Sequence, residues 1–214
     1  MVAEAWVALT SRFTPGWPWP EASWGLDPLY GPEGWCHACG TPLNEQTGSL
    51  VLEARKFPTG PVWVPNWRFD CVGVSAEIAA EVVRRFHVPM RDVLKPKGVA
   101  TGVMQLLPAL CTTPWYDEAL LRAAVHARHE RHSGKRVGAR CPECQRWRWL
   151  PISVGELPIK CDSLGESGDM LASPEIFGDG WKTFRHLLYR RPLGEFLANA
   201  APRAWSVVEL EFAP

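Results

Sequence analysis

The chain of 214 residues carries 23 basic and 23 acidic side chains, so its formal net charge is zero. That balance excludes two whole-chain signatures: the basic surplus of a dedicated nucleic-acid binder and the acidic surplus of a protein built to cover a basic active site. With 46% hydrophobic and 21% charged residues, the composition is that of an ordinary folded domain, long enough for one sizeable core.

The opening MVAEAWVALTSRF has neither a basic leader nor a long apolar region, so it does not read as a secretory signal. No stretch nears the roughly 18 apolar residues of a membrane span. The longest candidate, Val99–Leu110, is interrupted by Thr101, Gly102, Gln105 and Pro108. A reducing cytoplasm is the expected location. Ala3–Leu9 reads as a first strand, and TPGWPWPEASWGLDPLYGPEG as an irregular loop whose aromatics pack on the body. Twelve tryptophans are unusual. They are expected to build the core, with some left over for a partner-binding surface. Ser49–Phe57 and Val62–Val64 read as strands around the turn Pro58-Thr59-Gly60-Pro61, and Phe69–Val74 as another. Ser75 caps a helix with Ile78, Val82 and Phe86 on one face and Glu77 and Glu81 near its positive end; His87-Val88-Pro89 stops it.

Met90–Leu110 is ambiguous. Thr113-Pro114 precedes a second helix, Trp115–His129, with Leu120, Leu121 and Val125 as its apolar face. RWRWLPISV alternates as a strand, Leu157–Met170 is loop-like and acidic, and Ser173-Pro174-Glu175 opens a short turn. Trp181–Tyr189 and Pro192–Ala200 read as helices, and Trp205–Phe212 as a closing strand. The expectation is an α+β fold: one domain over 1–214, with a mixed sheet, several helices and a zinc-ribbon-like pair of Cys-x-x-Cys knuckles. The knuckles form an appendage from about 34–42 and 139–150.

Those knuckles are GWCHACG, with Cys36 and Cys39, and RCPECQ, with Cys141 and Cys144. Two pairs at a two-residue gap supply the four thiolates that tetrahedral zinc takes in a closed structural site. A residue with positive φ is wanted after the second cysteine. Gly40 supplies it freely. Gln145 would lose about 1–2 kcal/mol in a left-handed conformation, so the second turn is expected to differ slightly. About a hundred residues separate the pairs, against roughly 15–20 in compact ribbons, so the metal would close a long loop of the unfolded chain. Thiol redox chemistry, independent disulfides and a metal-free relic remain open. Redox pairs normally open a helix, which Gly40-Thr41-Pro42 and the strand after Cys144 do not. An odd count of seven cysteines argues against a disulfide framework. His37 reads as a spacer, and Cys71, Cys111 and Cys161 as buried inert thiols.

HARHERH places His126, His129 and His132 three apart, which is not the i, i+4 zincin spacing and reads as a solvated helix end. Arg128, Arg131, Lys135, Arg136, Arg140, Arg146 and Arg148 form a basic run interleaved with Trp147 and Trp149. Such a run can grip nucleic acid. It is also what a half-buried strand looks like, arginines on one side and tryptophans on the other. Glu156, Asp162, Glu166, Asp169, Glu175 and Asp179 make the next segment acidic, a solvated loop or a face for a basic partner. No nucleophile elbow, P-loop or dinucleotide fingerprint occurs, so nothing argues for an enzyme.

In layout, the chain resembles the bacterial double-CxxCG-motif family, through CHACG, CPECQ and the closing WSVVELEF strand. CHACG matches that signature and CPECQ departs at its last position. Members are associated with polymorphic toxin systems as immunity proteins against lipoprotein toxins passed between kin cells. The resemblance implies a cytoplasmic protein that binds and neutralises a cognate toxin, a nuclease being one candidate. It also implies zinc on Cys36, Cys39, Cys141 and Cys144. The alternatives are a zinc-ribbon nucleic-acid binder and a thiol oxidoreductase.

Overall fold

The computed structural model describes residues 5–11, 18–53, 60–134, 136–164 and 168–213. Ala3, residues 14–17 of the Trp/Pro-rich stretch, the end of the Ser49–Phe57 strand, Pro58-Thr59, Lys135 and Glu166 lie outside them. In chain order the first elements are β1 (Trp6–Ser11), α1 (Leu26–Tyr30), β2 (Val62–Trp63), β3 (Val72–Val74), α2 (Ala76–Arg85), β4 (Met90–Lys95), β5 (Val99–Leu106) and β6 (Ala109–Leu110). Then come α3 (Glu118–Ser133), β7 (Gly138–Arg140), β8 (Trp147–Trp149), β9 (Ile159–Lys160), β10 (Met170–Ala172) and β11 (Phe177–Asp179). The chain closes with β12 (Lys182–Phe184), β13 (Leu187–Arg190), α4 (Arg191–Ala200), β14 (Trp205–Val208) and β15 (Phe212–Ala213). The architecture is mixed α+β.

A five-stranded sheet, ordered β14-β1-β13-β10-β6, runs through the middle. The first and last long strands are neighbours, pairing antiparallel from Ala8↔Val208 to Ser11↔Trp205. Both sheet faces are covered. Val7, Leu9, Leu187, Tyr189, Met170 and Ala172 point into a core shared with Val82 of α2 and Leu193 and Leu197 of α4. The alternate residues Trp6, Ala8, Leu188 and Leu171 point into a second core with Leu121 and Val125 of α3, Trp149 and Phe177. Period-two alternation along one strand thus feeds two cores. A second sheet, β12-β11-β8-β7, and a third, β2-β3-β5-β4, flank these layers.

Helix α2 follows its signals: Ser75 Oγ accepts the Ile78 N–H, and the helix ends at Phe86. Other expectations are corrected. Trp181–Tyr189 is not a helix but the strands β12 and β13, split by Arg185 and His186. A strand buried on both faces is a continuous apolar run, which periodicity does not separate from a helix. The ambiguous Met90–Leu110 is the β4–β5 hairpin plus β6, with Lys97 and Gly98 at positive φ in its turn. Helix α3 starts at Glu118, where Asp117 caps it. Trp115 and Tyr116 instead donate their N–H groups to Glu175 Oε1. Leu120, assigned to its apolar face, is exposed. In the described part of Ser49–Phe57, Val51 and Leu52 make only isolated bridges, to Leu94 and Pro20. The closing strand breaks after Val208, and β15 pairs with β9 instead. Among the described residues no helix is long and apolar enough to cross a membrane.

Candidate metal centre

The two knuckles have the same backbone. In the first, the Cys36 N–H donates to Thr41 O (2.9 Å) and the Gly40 N–H to Cys36 O (2.7 Å). In the second, the Cys141 N–H donates to Arg146 O (3.0 Å) and the Gln145 N–H to Cys141 O (3.0 Å). Gly40 sits at φ +71 and Gln145 at φ +60. The expected difference between the turns is therefore absent: Gln145 accepts the left-handed conformation. Its amide donates to Pro142 O (2.6 Å), and its own carbonyl accepts from Arg140 (3.0 Å), bonds that help hold it there.

Contacts from β8 and from the β11–β12 hairpin draw the knuckles together. Arg146, just before β8, donates to Pro42 O and Leu43 O (2.6 and 2.8 Å). Arg148 on β8 donates to Cys39 O and Gly180 O (2.9 and 2.8 Å). Thr183 Oγ1 donates to Gly40 O (2.8 Å), and Trp181 Nε1 to His37 O (2.8 Å). The arginine side of the alternating strand faces the first knuckle. Sequence periodicity gave the sidedness of Arg146 and Arg148 but could not name what lay opposite.

These contacts leave Cys36 Sγ 3.8 Å from Cys141 Sγ and Cys39 Sγ 3.7 Å from Cys144 Sγ. All four sulfurs lie within 4.8 Å of one another, and among the described residues they are the one group able to hold a metal ion. A regular tetrahedron of sulfurs at the usual zinc distance of about 2.3 Å has edges of about 3.8 Å, so the donor set fits such an ion. A disulfide would need about 2.05 Å. Cys36, Cys39 and Cys141 are buried and Cys144 is half-buried. Backbone N–H groups, chiefly that of Cys144, stabilise the Cys141 thiolate and bring its pKa down to about 7. Burial pushes the Cys36, Cys39 and Cys144 thiols up. Without a cation the pocket disfavours four thiolates; a divalent ion would supply the compensating charge.

No protein-family model, curated protein or solved structure matches this chain. The remaining sequence candidates are therefore placed by geometry. His37 stacks on Trp35 (4.1 Å) with its Nε2 2.7 Å from Pro32 O, outside the sulfur cluster. Cys71 is buried beside Asp70, and burial pushes it up to about 12. Cys111 and Cys161 are half-buried rather than buried. His129 Nε2 lies 2.6 Å from Pro151 O, and no metal group forms with His126 and His132. Most of the basic run bonds internally. Besides Arg146 and Arg148, Arg128 pairs with Glu156, Arg136 with Asp179 (3.6 Å), and Arg140 with the Gln145 carbonyl. Much of the acidic segment is likewise engaged. Asp169 accepts the His87 N–H (2.6 Å), and Glu175 holds the start of α3.

Proposed function

We propose that Cys36, Cys39, Cys141 and Cys144 bind one structural zinc in a zinc-ribbon-like site, and that the protein acts by binding rather than catalysis. Four thiolates fill a tetrahedral zinc and leave no open position for water or substrate. The ion would fix the knuckles and supply no chemistry. The observation that carries this reading is the closed cluster itself: sulfur spacings of 3.7 and 3.8 Å, backbone-matched turns, and guanidiniums turned inward to hold them. Together with the double-CxxCG resemblance, it supports an immunity protein that neutralises a cognate toxin. The inward-turned Arg146 and Arg148 weigh against a nucleic-acid grip.

The test is growth of a host expressing the toxin encoded beside this gene, with and without the protein. Rescue that disappears when the toxin is replaced by a relative is the expected result. A folded, expressed protein that gives no rescue overturns the immunity reading and leaves the metal site standing.

A further inference from the structure

Among the described residues the exposed tryptophan and phenylalanine side chains are Trp19, Trp67, Phe69 and Trp181. Trp67, Phe69 and Trp181 border one hollow of about 680 Å³, together with Trp24, Lys182 and Phe184. Trp19 extends the face, its ring 5.8 Å from that of Trp24. Lone exposed apolar residues need no explanation, but a contiguous aromatic face does. Two of its members also sit in strained backbone: Trp24 at φ +58 and Trp67 at φ +63. Trp67 is the third residue of the Pro65–Arg68 turn, a place where positive φ is normally left to glycine. Strain of this kind, about 1 kcal/mol or more each, persists where the surrounding structure enforces it and gathers at binding sites.

The hollow is lined by one cation, Lys182, and by one carboxylate, Asp179. Lys182 Nζ lies 4.1 Å from the Trp67 ring centroid and 5.2 Å from that of Trp24. Among the described residues no carboxylate pairs with it. The nearby Asp179 pairs with Arg136 instead. An ammonium held between two indoles is positioned before any partner arrives. A carboxylate brought to it would be sheltered from water by the surrounding rings, where an ion pair is stronger than on open surface.

We propose that this face is a docking site for a protein segment that presents an Asp or Glu side chain flanked by apolar residues. The carboxylate would meet Lys182, and the apolar flanks would meet Trp67, Phe69 and Trp181. Tryptophan-rich, partly desolvated patches are where binding energy concentrates. The inference stands apart from the immunity reading, because model peptides decide it whether or not a toxin is neutralised.

The probes are a capped Leu-Leu-Glu-Leu-Leu peptide and its Gln and Lys counterparts, titrated into the full metal-loaded chain and followed by indole N–H shifts. The Glu peptide is expected to bind about tenfold more tightly than either counterpart and to move the Trp24 and Trp67 signals. Lys182→Glu should reverse the preference towards the Lys peptide. Trp67→Ala should weaken the Glu peptide about tenfold, a typical loss for one truncated anchor. Unchanged melting temperatures would show that both variants fold. Equal binding of all three peptides, no binding of the Glu peptide at millimolar concentration, or a preference that survives Lys182→Glu would overturn the proposal. So would closure of the face by a second copy of the chain, seen as concentration-dependent dimerisation lost in Trp67→Ala.

Discussion

Gly40 and Gln145 do the same backbone work with opposite comfort. A Cβ on Gly40 would fall 2.4 Å from the Trp181 Cα, and the residue sits at φ +71. Gly40→Ala therefore meets both a left-handed penalty and a backbone clash, with an expected loss of about 2–3 kcal/mol in denaturant unfolding. Gln145→Gly should do the reverse. It removes about 1–2 kcal/mol of left-handed strain, partly offset by the greater freedom of an unfolded glycine and by the lost bond to Pro142. A net gain of about 0.5 kcal/mol is expected. If Gly40→Ala unfolds like the parent, the close approach of Trp181 does not constrain the first knuckle. The need for positive φ at residue 40 was legible, because glycine advertises it. The same need at residue 145 could be read from the motif, but glutamine argued against its being met, and only the bonds from Cys141 N–H to Arg146 O and from Gln145 N–H to Cys141 O, with φ +60 at Gln145, show that it is. All four cysteines of the cluster were legible from spacing alone. Their closure was not, because it depends on guanidinium and hydroxyl contacts to backbone carbonyls that no local pattern encodes.

Among elements, α2 and α4 were readable because each exposes one face and buries the other. Strand β13 was not, being covered on both faces by the two cores. The residue just before β13, His186, makes a prediction at this scale. Its Nε2 lies 3.1 Å from Ile152 O, which can only accept, so Nε2 carries the proton and Nδ1 accepts the Tyr116 hydroxyl at 2.6 Å. The ring stacks on Phe177 at 3.9 Å. Burial disfavours the imidazolium and lowers the pKa from 6.5 to about 4. Only the neutral ring suits the folded state. Its contribution is therefore complete above the unfolded pKa and is lost as pH falls from 6.5 towards 4 and below. The full span is about 3 kcal/mol at 1.36 kcal/mol per pKa unit. His186→Gln should be less stable at neutral pH, but its stability should fall about 3 kcal/mol less between pH 7 and pH 3. The comparison with wild type separates this effect from any acid effect at the cysteine cluster, which both proteins share. Parallel curves for the two proteins would show that His186 does not titrate across that window.

For the whole molecule, the knuckles matter because Cys36 and Cys141 are 105 positions apart. An ion that joins them restricts the unfolded chain as a crosslink over about a hundred residues would, a loop-closure effect of about 4–5 kcal/mol in the chain-entropy model. The main apolar cores are separate from the cysteine cluster, and Arg146, Arg148 and Thr183 tie the knuckles without any ion. Metal removal should therefore destabilise the fold without abolishing it. We expect one zinc per chain by elemental analysis and a melting temperature lowered by about 10–20 °C on chelation, using about 2–4 °C per kcal/mol for a chain of this size. The hairpin carrying Trp181 is bonded to His37 and Gly40, so loosening the first knuckle should also shift tryptophan emission to the red. Cys36→Ser should behave as chelated wild type does, with the same melting temperature and no further response to chelator. A variant that stays metal-loaded and as stable as the parent would mean that Cys36 is not a ligand. A parent protein indifferent to chelation would mean that the inward arginines alone, and no ion, hold the two knuckles together.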